Sequence, residues 1–374
     1  MTPSQARTRS GTSTAGAVVA RLRLRAQGIS SALATTPEAV VARLGAMQAQ
    51  DYPGALWSIA LRMANASRAD VEHAIAERTI IRTWPMRGTL HFVPAADARW
   101  MLELTAPRII KGAAGRHRQL ELDESAFHRS RKIIGGALAR DPVMTRKAIF
   151  TALERGGVSP AGQRGIHILQ QLCMERMLCY GPHTEKQPTF VLFDEWIPRP
   201  RTLEREEALC TLAVRYYSSH GPATLRDFVW WTQLTVNDAK RAVHLAQPSL
   251  ARLDIDGTDY WMGEDDVPSG DGGLEAHLLP GFDEFMLGYR DRSAALAARY
   301  ADRIVPGANG MFLSTLVLDG QVRGTWRRRA TAQSATIEAT PFTRLTRAER
   351  DAFGAPAGRY AKFLGSPVTL NWAR

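Results

Sequence analysis

The run Gln48-Ala49-Gln50-Asp51-Tyr52-Pro53 carries the residue types and spacing best suited to chemistry in this chain. Residues i and i+2 lie roughly 200° apart on an α-helix, so two glutamines at this spacing cannot share a helical face. In an extended segment they project to the same side. Pro53 favours the second case, because a proline pushes the preceding residue out of the helical region. It also suits the first turn of a new helix. A helix from Pro37 to about Ala46 is therefore expected to break near Gln48, with another starting at Pro53. A glutamine carbonyl can accept a hydrogen bond from a water molecule and orient it, but it cannot take the proton as a carboxylate does. Asp51, the adjacent carboxylate, is expected first as a helix cap and second as a base. The plain alternative for the whole run is a polar turn between helices.

A second group lies about forty residues on. Arg87, Thr89 and His91 alternate along an expected strand and so face one side. That side suits phosphates or a bound base, while His91 equally suits a satisfied core position. Only six of the 48 basic residues are lysine, none before Lys111, so no Schiff-base nucleophile is near the glutamines. Cys173, Cys179 and Cys210 form no Cys-x-x-Cys pair. Neither a disulfide framework nor a zinc site is expected, and Cys173, Cys179 and His183 match no common ligand spacing. No metal and no cofactor are implied.

At 374 residues and 45% hydrophobic content the chain can bury a substantial core in two to four domains. It contains no apolar run long enough to span a membrane. The net charge of +11 and pI near 10.0 are the electrostatic footprint of a polyanionic partner, with nucleic acid in the lead. Arginine's planar fork suits phosphate contacts, although a GC-rich genome also favours arginine.

The elements that must hold these residues repeat in kind. Helices are expected at 36–48, 53–64 and 68–77, followed by strands at 79–84 and 89–93 around the turn Pro85-Met86-Arg87-Gly88. Helices at 124–140, 145–155 and 162–176 precede strands at 177–180 and 189–193, joined by a polar loop. Helices at 203–219, 224–232 and 236–245 precede strands at 250–255 and 258–262, with Asp256-Gly257 as a hairpin turn. Ser67 and Thr235 stand where N-caps are needed. Three helices followed by a hairpin is the winged-helix plan. After an acidic, Gly-rich linker at 264–273, strands at 313–318, 321–326 and 336–339, a helix at 347–364 and a last strand at 368–372 suggest a small domain with a curled sheet. The expected fold is a helix-rich α+β chain: three tandem winged-helix units (17–122, 123–200, 201–263) and a β-rich C-terminal α+β domain (264–374), behind a disordered arm at 1–16.

Four of these stretches, in this order, resemble one family. The segment 45–55, with its Gln-x-Gln, is similar to the catalytic segment of the AlkZ-like DNA glycosylases, winged-helix relatives of the YcaQ enzymes. The segment 83–91, from Thr83 through Arg87 to His91, resembles the hairpin of that family's first winged helix. Leu279-Pro280-Gly281-Phe282-Asp283-Glu284-Phe285 and Val322-Arg323-Gly324-Thr325-Trp326 resemble its C-terminal signatures. YcaQ carries Gln-x-Asp, so glutamine at position 50 places the chain with the AlkZ branch.

The resemblance implies a basic channel for double-stranded DNA and hydrolysis of the N-glycosidic bond of bulky N7-alkylated purines, interstrand crosslinks included. An N7-alkylated guanine is already cationic and leaves as a neutral base without a general acid. What remains is to stabilise the sugar cation and place a water behind C1′, work assigned to Gln48 and Gln50. Asp51, Arg87, Thr89 and His91 are then the DNA- or lesion-contacting residues. A monofunctional, monomeric enzyme of the cytoplasm, associated with the nucleoid, is expected. The competing readings are a winged-helix transcription regulator and a non-catalytic lesion binder.

Overall fold

The computed structural model describes residues 14–32, 34–184, 187–264, 274–330 and 334–373. Its first helix, α1 (Thr14–Ala26), begins inside the segment expected as an arm. Ala20 and Leu24 are fully buried in a core shared with the C-terminal region, and this long-range burial orders the helix. Residues 1–13 of the expected arm, and 265–273 of the expected linker, lie outside the described residues.

Thr36 caps α2 (Pro37–Leu44), its side chain accepting from the Ala39 N–H at 3.2 Å, with Pro37 in the first turn. The helix stops at Gly45, whose φ of 77° favours glycine, rather than near Gln48 as expected. This early stop frees an extended segment containing β1 (Met47–Gln48) before α3 (Tyr52–Ala60). Ser67 and Asp70 form a capping box on α4 (Arg68–Ala76). The hairpin of β2 (Ile80–Met86) and β3 (Thr89–Pro94) follows. Its turn is shorter than expected: Arg87 and Gly88 alone make it, with φ of 56° and 66°. A register shift between Thr83 and Met86 absorbs Pro85, which has no N–H for the ladder, so β2 continues to Met86.

The 22-residue α5 (Ala98–Gln119) lies outside the expected elements and runs through Pro107, a local break signal. A second stretch comprises α6 (Glu124–Leu138), β4 (Met144–Thr145), α7 (Arg146–Arg155), α8 (Arg164–Met174), β5 (Leu178–Tyr180) and β6 (Thr189–Leu192), closed by the one-turn α9 (Phe193–Trp196). The third has α10 (Arg205–His220), α11 (Leu225–Thr232), α12 (Val236–Ala246), β7 (Leu250–Ile255) and β8 (Thr258–Gly263). All three share one order: helix, short strand, two helices, hairpin. In the third stretch the short strand is reduced to a bridge between Ala223 and Trp261.

The first two stretches merge into one six-stranded sheet, β1-β3-β2-β5-β6-β4, so the two short strands lie on opposite edges. The C-terminal region contains β9 (Ala276–Leu279), the short helices α13 (Glu284–Leu287) and α14 (Ala301–Ile304), and β10 (Thr315–Leu318), β11 (Gln321–Ala330) and β12 (Ala335–Pro341). It ends with α15 (Arg347–Asp351), α16 (Gly354–Leu364) and β13 (Val368–Trp372). These strands build a curled five-stranded sheet, β13-β12-β11-β10-β9. The helix expected at 347–364 is two helices, divided where Phe353 plugs into the core with no exposure.

Two apolar cores result. One joins the first hairpin to the second and third stretches; the other packs α1 to α4 against the C-terminal sheet. Ala46 belongs to the first core, and Met47 and Ala49 to the second. The glutamine segment thus runs along the seam between them.

Candidate active site

The period-two alternation of a strand sets which way each residue of this segment faces. Met47 and Ala49 pack into the second core, while the side chains of Gln48 and Gln50 turn to Arg87 and to β3. The segment lies antiparallel to β3, with Gln48 opposite His91 and the Ala49 N–H donating to the Leu90 carbonyl at 2.7 Å. Arg82 donates twice to the Ala49 carbonyl, at 3.0 and 2.7 Å, and so locks the peptide between the glutamines. Its guanidinium lies over the Tyr180 ring at 4.8 Å.

The two glutamines live in different surroundings. Gln48 is only 8% exposed, whereas Gln50 is open to solvent. The Gln48 carbonyl accepts from Arg87 Nη2 at 3.0 Å, and its backbone N–H donates to Glu284 Oε1 at 2.9 Å. The Gln50 carbonyl accepts from the Leu90 N–H at 3.2 Å. Each side-chain oxygen therefore has one lone pair engaged and one free, and each amide keeps N–H donors for a ligand.

Arg87 reaches this site because its backbone occupies the left-handed region, a conformation costing a non-glycine residue roughly 1–2 kcal/mol. It belongs to the turn rather than to the strand, yet its side chain folds back to meet His91 as alternation along a strand would have placed it. Nη1 donates to the Trp231 carbonyl at 2.9 Å, and Nη2 also meets His91 Nε2 at 2.9 Å. His91 Nδ1 lies 2.9 Å from the Thr89 carbonyl. A carbonyl can only accept, so Nδ1 carries the proton and Nε2 receives from Arg87. The ring is neutral: burial, and next the Arg87 cation, push it down to about 3. His91 is thus a satisfied buried histidine that also supports Arg87. Thr89 is half-buried, and its Oγ1 has no hydrogen-bond partner.

Asp51 takes the N-cap position of α3, and its carboxyl lies against the Gly54 backbone without a well-formed capping hydrogen bond. It is exposed along one edge, while atoms packed behind the carboxyl desolvate it enough to hold it above its ordinary value. Tyr52 stacks on His183 from the 181–188 loop, with ring centres 3.8 Å apart. Cys173 and Cys179 are buried in the apolar core, where desolvation pushes both thiols up. They sit as ordinary core thiols.

Three further residues, Glu284, Trp231 and His220, complete the site; the sequence gives none of them a role, although Glu284 stands in the 279–285 signature. Glu284 Oε2 accepts from Trp231 Nε1 at 2.9 Å and faces His220 Nε2 at 3.4 Å. Burial alone would raise the Glu284 carboxyl, but the His220 hydrogen bond and the Arg87 charge outweigh it and hold it at about 2. The available signal was an acidic pair, Asp283-Glu284, inside an otherwise apolar run.

A family model described as DNA glycosylase AlkZ-like matches residues 41–363. The chain belongs to the AlkZ-like DNA glycosylase family. It is an enzyme that acts on DNA. A relative from Streptomyces sahachiroi named "Interstrand DNA cross-link repair glycosylase" is 27% identical over 354 residues, covering 88% of this chain and 92% of the relative. The solved structure of Streptomyces sahachiroi DNA glycosylase AlkZ superposes with a TM-score of 0.77 at 24% identity, covering 96% of this chain and 99% of that one. That likeness establishes the shared fold. Among the described residues of this glycosylase, no helix is long and apolar enough to cross a membrane.

Proposed function

We propose that this glycosylase hydrolyses the N-glycosidic bond of bulky N7-alkylated purines in double-stranded DNA, interstrand crosslinks included, serving DNA repair or resistance to the cell's own alkylating antibiotic. Gln48 and Gln50 are the catalytic residues. Asp51, Arg87 and Thr89 border the lesion, and His91 serves it from behind by holding Arg87. The single observation that carries the reading is the pinned Gln-x-Gln segment. Both carbonyls are oriented by N–H donors at 3.0 and 3.2 Å, which leaves each a lone pair for a ligand.

An alkylated N7 already supplies the positive charge that makes the purine leave, so the site needs no acid to protonate it. The free lone pairs orient a water for attack at C1′ as the sugar cation develops, and positioning alone contributes several kcal/mol to lowering such a barrier. No lysine precedes Lys111 in the sequence, which supports hydrolysis without a covalent sugar intermediate. The relative's name supports crosslinks as substrates. The repeated element order supports three winged-helix units at 17–122, 123–200 and 201–263, with a C-terminal domain at 264–374, in a chain that acts as a monomer in the cytoplasm.

The deciding experiment incubates the protein with duplexes carrying different N7-alkylguanine adducts and measures free modified base by mass spectrometry. Excised base is the expected result. Tight binding without release would leave a lesion binder, and binding governed by base sequence rather than damage would leave a transcription regulator.

A further inference from the structure

Gln48 is gripped at both ends, and the two grips meet on one residue. Its side-chain carbonyl is held by Arg87, which is itself anchored on the Trp231 carbonyl at 2.9 Å. Its backbone N–H is held by Glu284, which is anchored on the Trp231 indole N–H at 2.9 Å. The circuit Gln48–Arg87–Trp231–Glu284 thus closes across three regions of the chain: the first stretch, the C-terminal end of α11, and the start of α13.

Glu284 is 1% exposed, and an isolated carboxylate taken so far out of water is strongly disfavoured unless paired and hydrogen-bonded. Here the Gln48 N–H, the Trp231 N–H and His220 surround its two oxygens. A carboxylate is an acceptor only, with sites for several donors at once, so no amide or hydroxyl of similar size satisfies all three. An apolar residue would fill the space but abandon the Gln48 N–H at the edge of the sheet.

Resting on the reading of Gln48 as catalytic, we infer that Glu284, braced by Trp231, is a positioning residue that fixes the backbone of Gln48 from the C-terminal region. Glu284 does not touch the reacting atoms. It sets where the Gln48 peptide lies, and therefore where the free lone pair of its amide points. The same contact couples assembly of the C-terminal sheet to competence of the site.

The test uses the full-length protein as Glu284→Gln, Trp231→Phe, Gln48→Ala and the double variant Gln48→Ala/Glu284→Gln. Trp231→Phe removes the indole N–H while leaving the backbone carbonyl that anchors Arg87. Two readouts are compared: single-turnover excision of an N7-alkylguanine, and amide hydrogen exchange over residues 46–50. Displacing a catalytic group by about 1 Å can cost on the order of 10²-fold in rate. Glu284→Gln should therefore excise about 10²-fold more slowly with affinity for the damaged duplex nearly unchanged, and Trp231→Phe should err in the same direction by less. Exchange over 46–50 should accelerate in both, while β12 stays protected. The double variant should be no slower than Gln48→Ala, because Glu284 acts through Gln48. Unchanged exchange over 46–50 in both Glu284→Gln and Trp231→Phe overturns the inference. So does a parental rate in Glu284→Gln when Gln48→Ala is slow. A parental rate in Gln48→Ala instead overturns the catalytic reading of Gln48, and the exchange data then decide the positioning of its backbone alone.

Discussion

Two junctions occupy mirrored edges of the six-stranded sheet, and their side chains are spent differently. At the β4–α7 junction Thr145 caps the helix, accepting from the Ala148 N–H at 3.2 Å. At the β1–α3 junction Asp51 holds the equivalent position without a capping bond, and the residues before it are glutamines committed to β3 and Arg87. Across the ladder Thr145 faces Thr189, whereas Gln48 faces His91. The third stretch sides with the second, since Thr224 and Asp227 form a capping box on α11. An N-cap contributes about 1 kcal/mol to stability. At the first junction the Asp51 carboxyl meets the Gly54 backbone only loosely, and the segment before it is secured by Arg82 and Glu284 from elsewhere in the chain. A site can thus be built on a repeated scaffold by moving the stabilising contacts of one copy from local to distant partners.

The largest expected contrast concerns what the first junction lacks. In the proposed mechanism its amides orient water and no group protonates the leaving base, so a duplex containing uracil should yield no detectable free base, while added bulk on a cationic N7 substituent is tolerated. Efficient uracil release would show that neutral leaving groups are activated, and the amide mechanism would have to be abandoned.

Next in size is the difference between the two junctions themselves. Gln48→Ala and Gln50→Ala should each slow single-turnover excision by about 10²–10⁴-fold, the usual range for a lost proton-handling or water-orienting group, with duplex affinity within a few-fold. Thr145→Ala should leave the rate alone. Equal rates for the glutamine variants and the parent would return the segment to a structural turn.

A smaller effect separates the two edges by pH. His91 is held at about 3 in the folded protein against 6.5 unfolded, so the unfolded chain binds the extra proton between those values and stability falls as pH falls. From pH 6.5 to 5.0 this one group should cost roughly 2 kcal/mol, at 1.36 kcal/mol per unit. Thermal melting across that range should show the loss, and His91→Gln should flatten it. A slope unaltered in His91→Gln would place the acid sensitivity elsewhere, with buried His220 the next group to examine.

The smallest contrast is the cap itself. Thr145→Ala should cost about 1 kcal/mol in denaturant unfolding, and Asp51→Ala no more than about 0.5 kcal/mol. An equal loss for both would mean that Asp51 caps α3 in solution and that the junctions do not differ in this respect.

Much of this molecule is written in short-range signals. Ser67 and Thr235 cap the helices they precede, and the Asp256-Gly257 and Asp319-Gly320 turns adopt the positive φ angles expected of tight hairpins. Strand β13 keeps its expected bounds at Val368–Trp372. The break before Pro53 and the extended run ahead of it follow from proline sterics, which act over a few residues. Local chemistry misled where distant packing overruled it: α5 runs through Pro107, α1 extends into the expected arm, and Phe353 divides the last long helix.

The site divides along the same line. Where to look was legible, because an amide pair in an extended break stands out among the residue types of the chain. How that pair is held was not. The partners of Gln48 lie 39 residues away at Arg87 and 236 away at Glu284, and no periodicity links positions so far apart. Glu284 reads in the chain as half of an acidic pair in an apolar run. Only the closing of two cores on either side of β1 removes it from water, and a carboxylate so enclosed must find donors wherever the fold has left them unpaired.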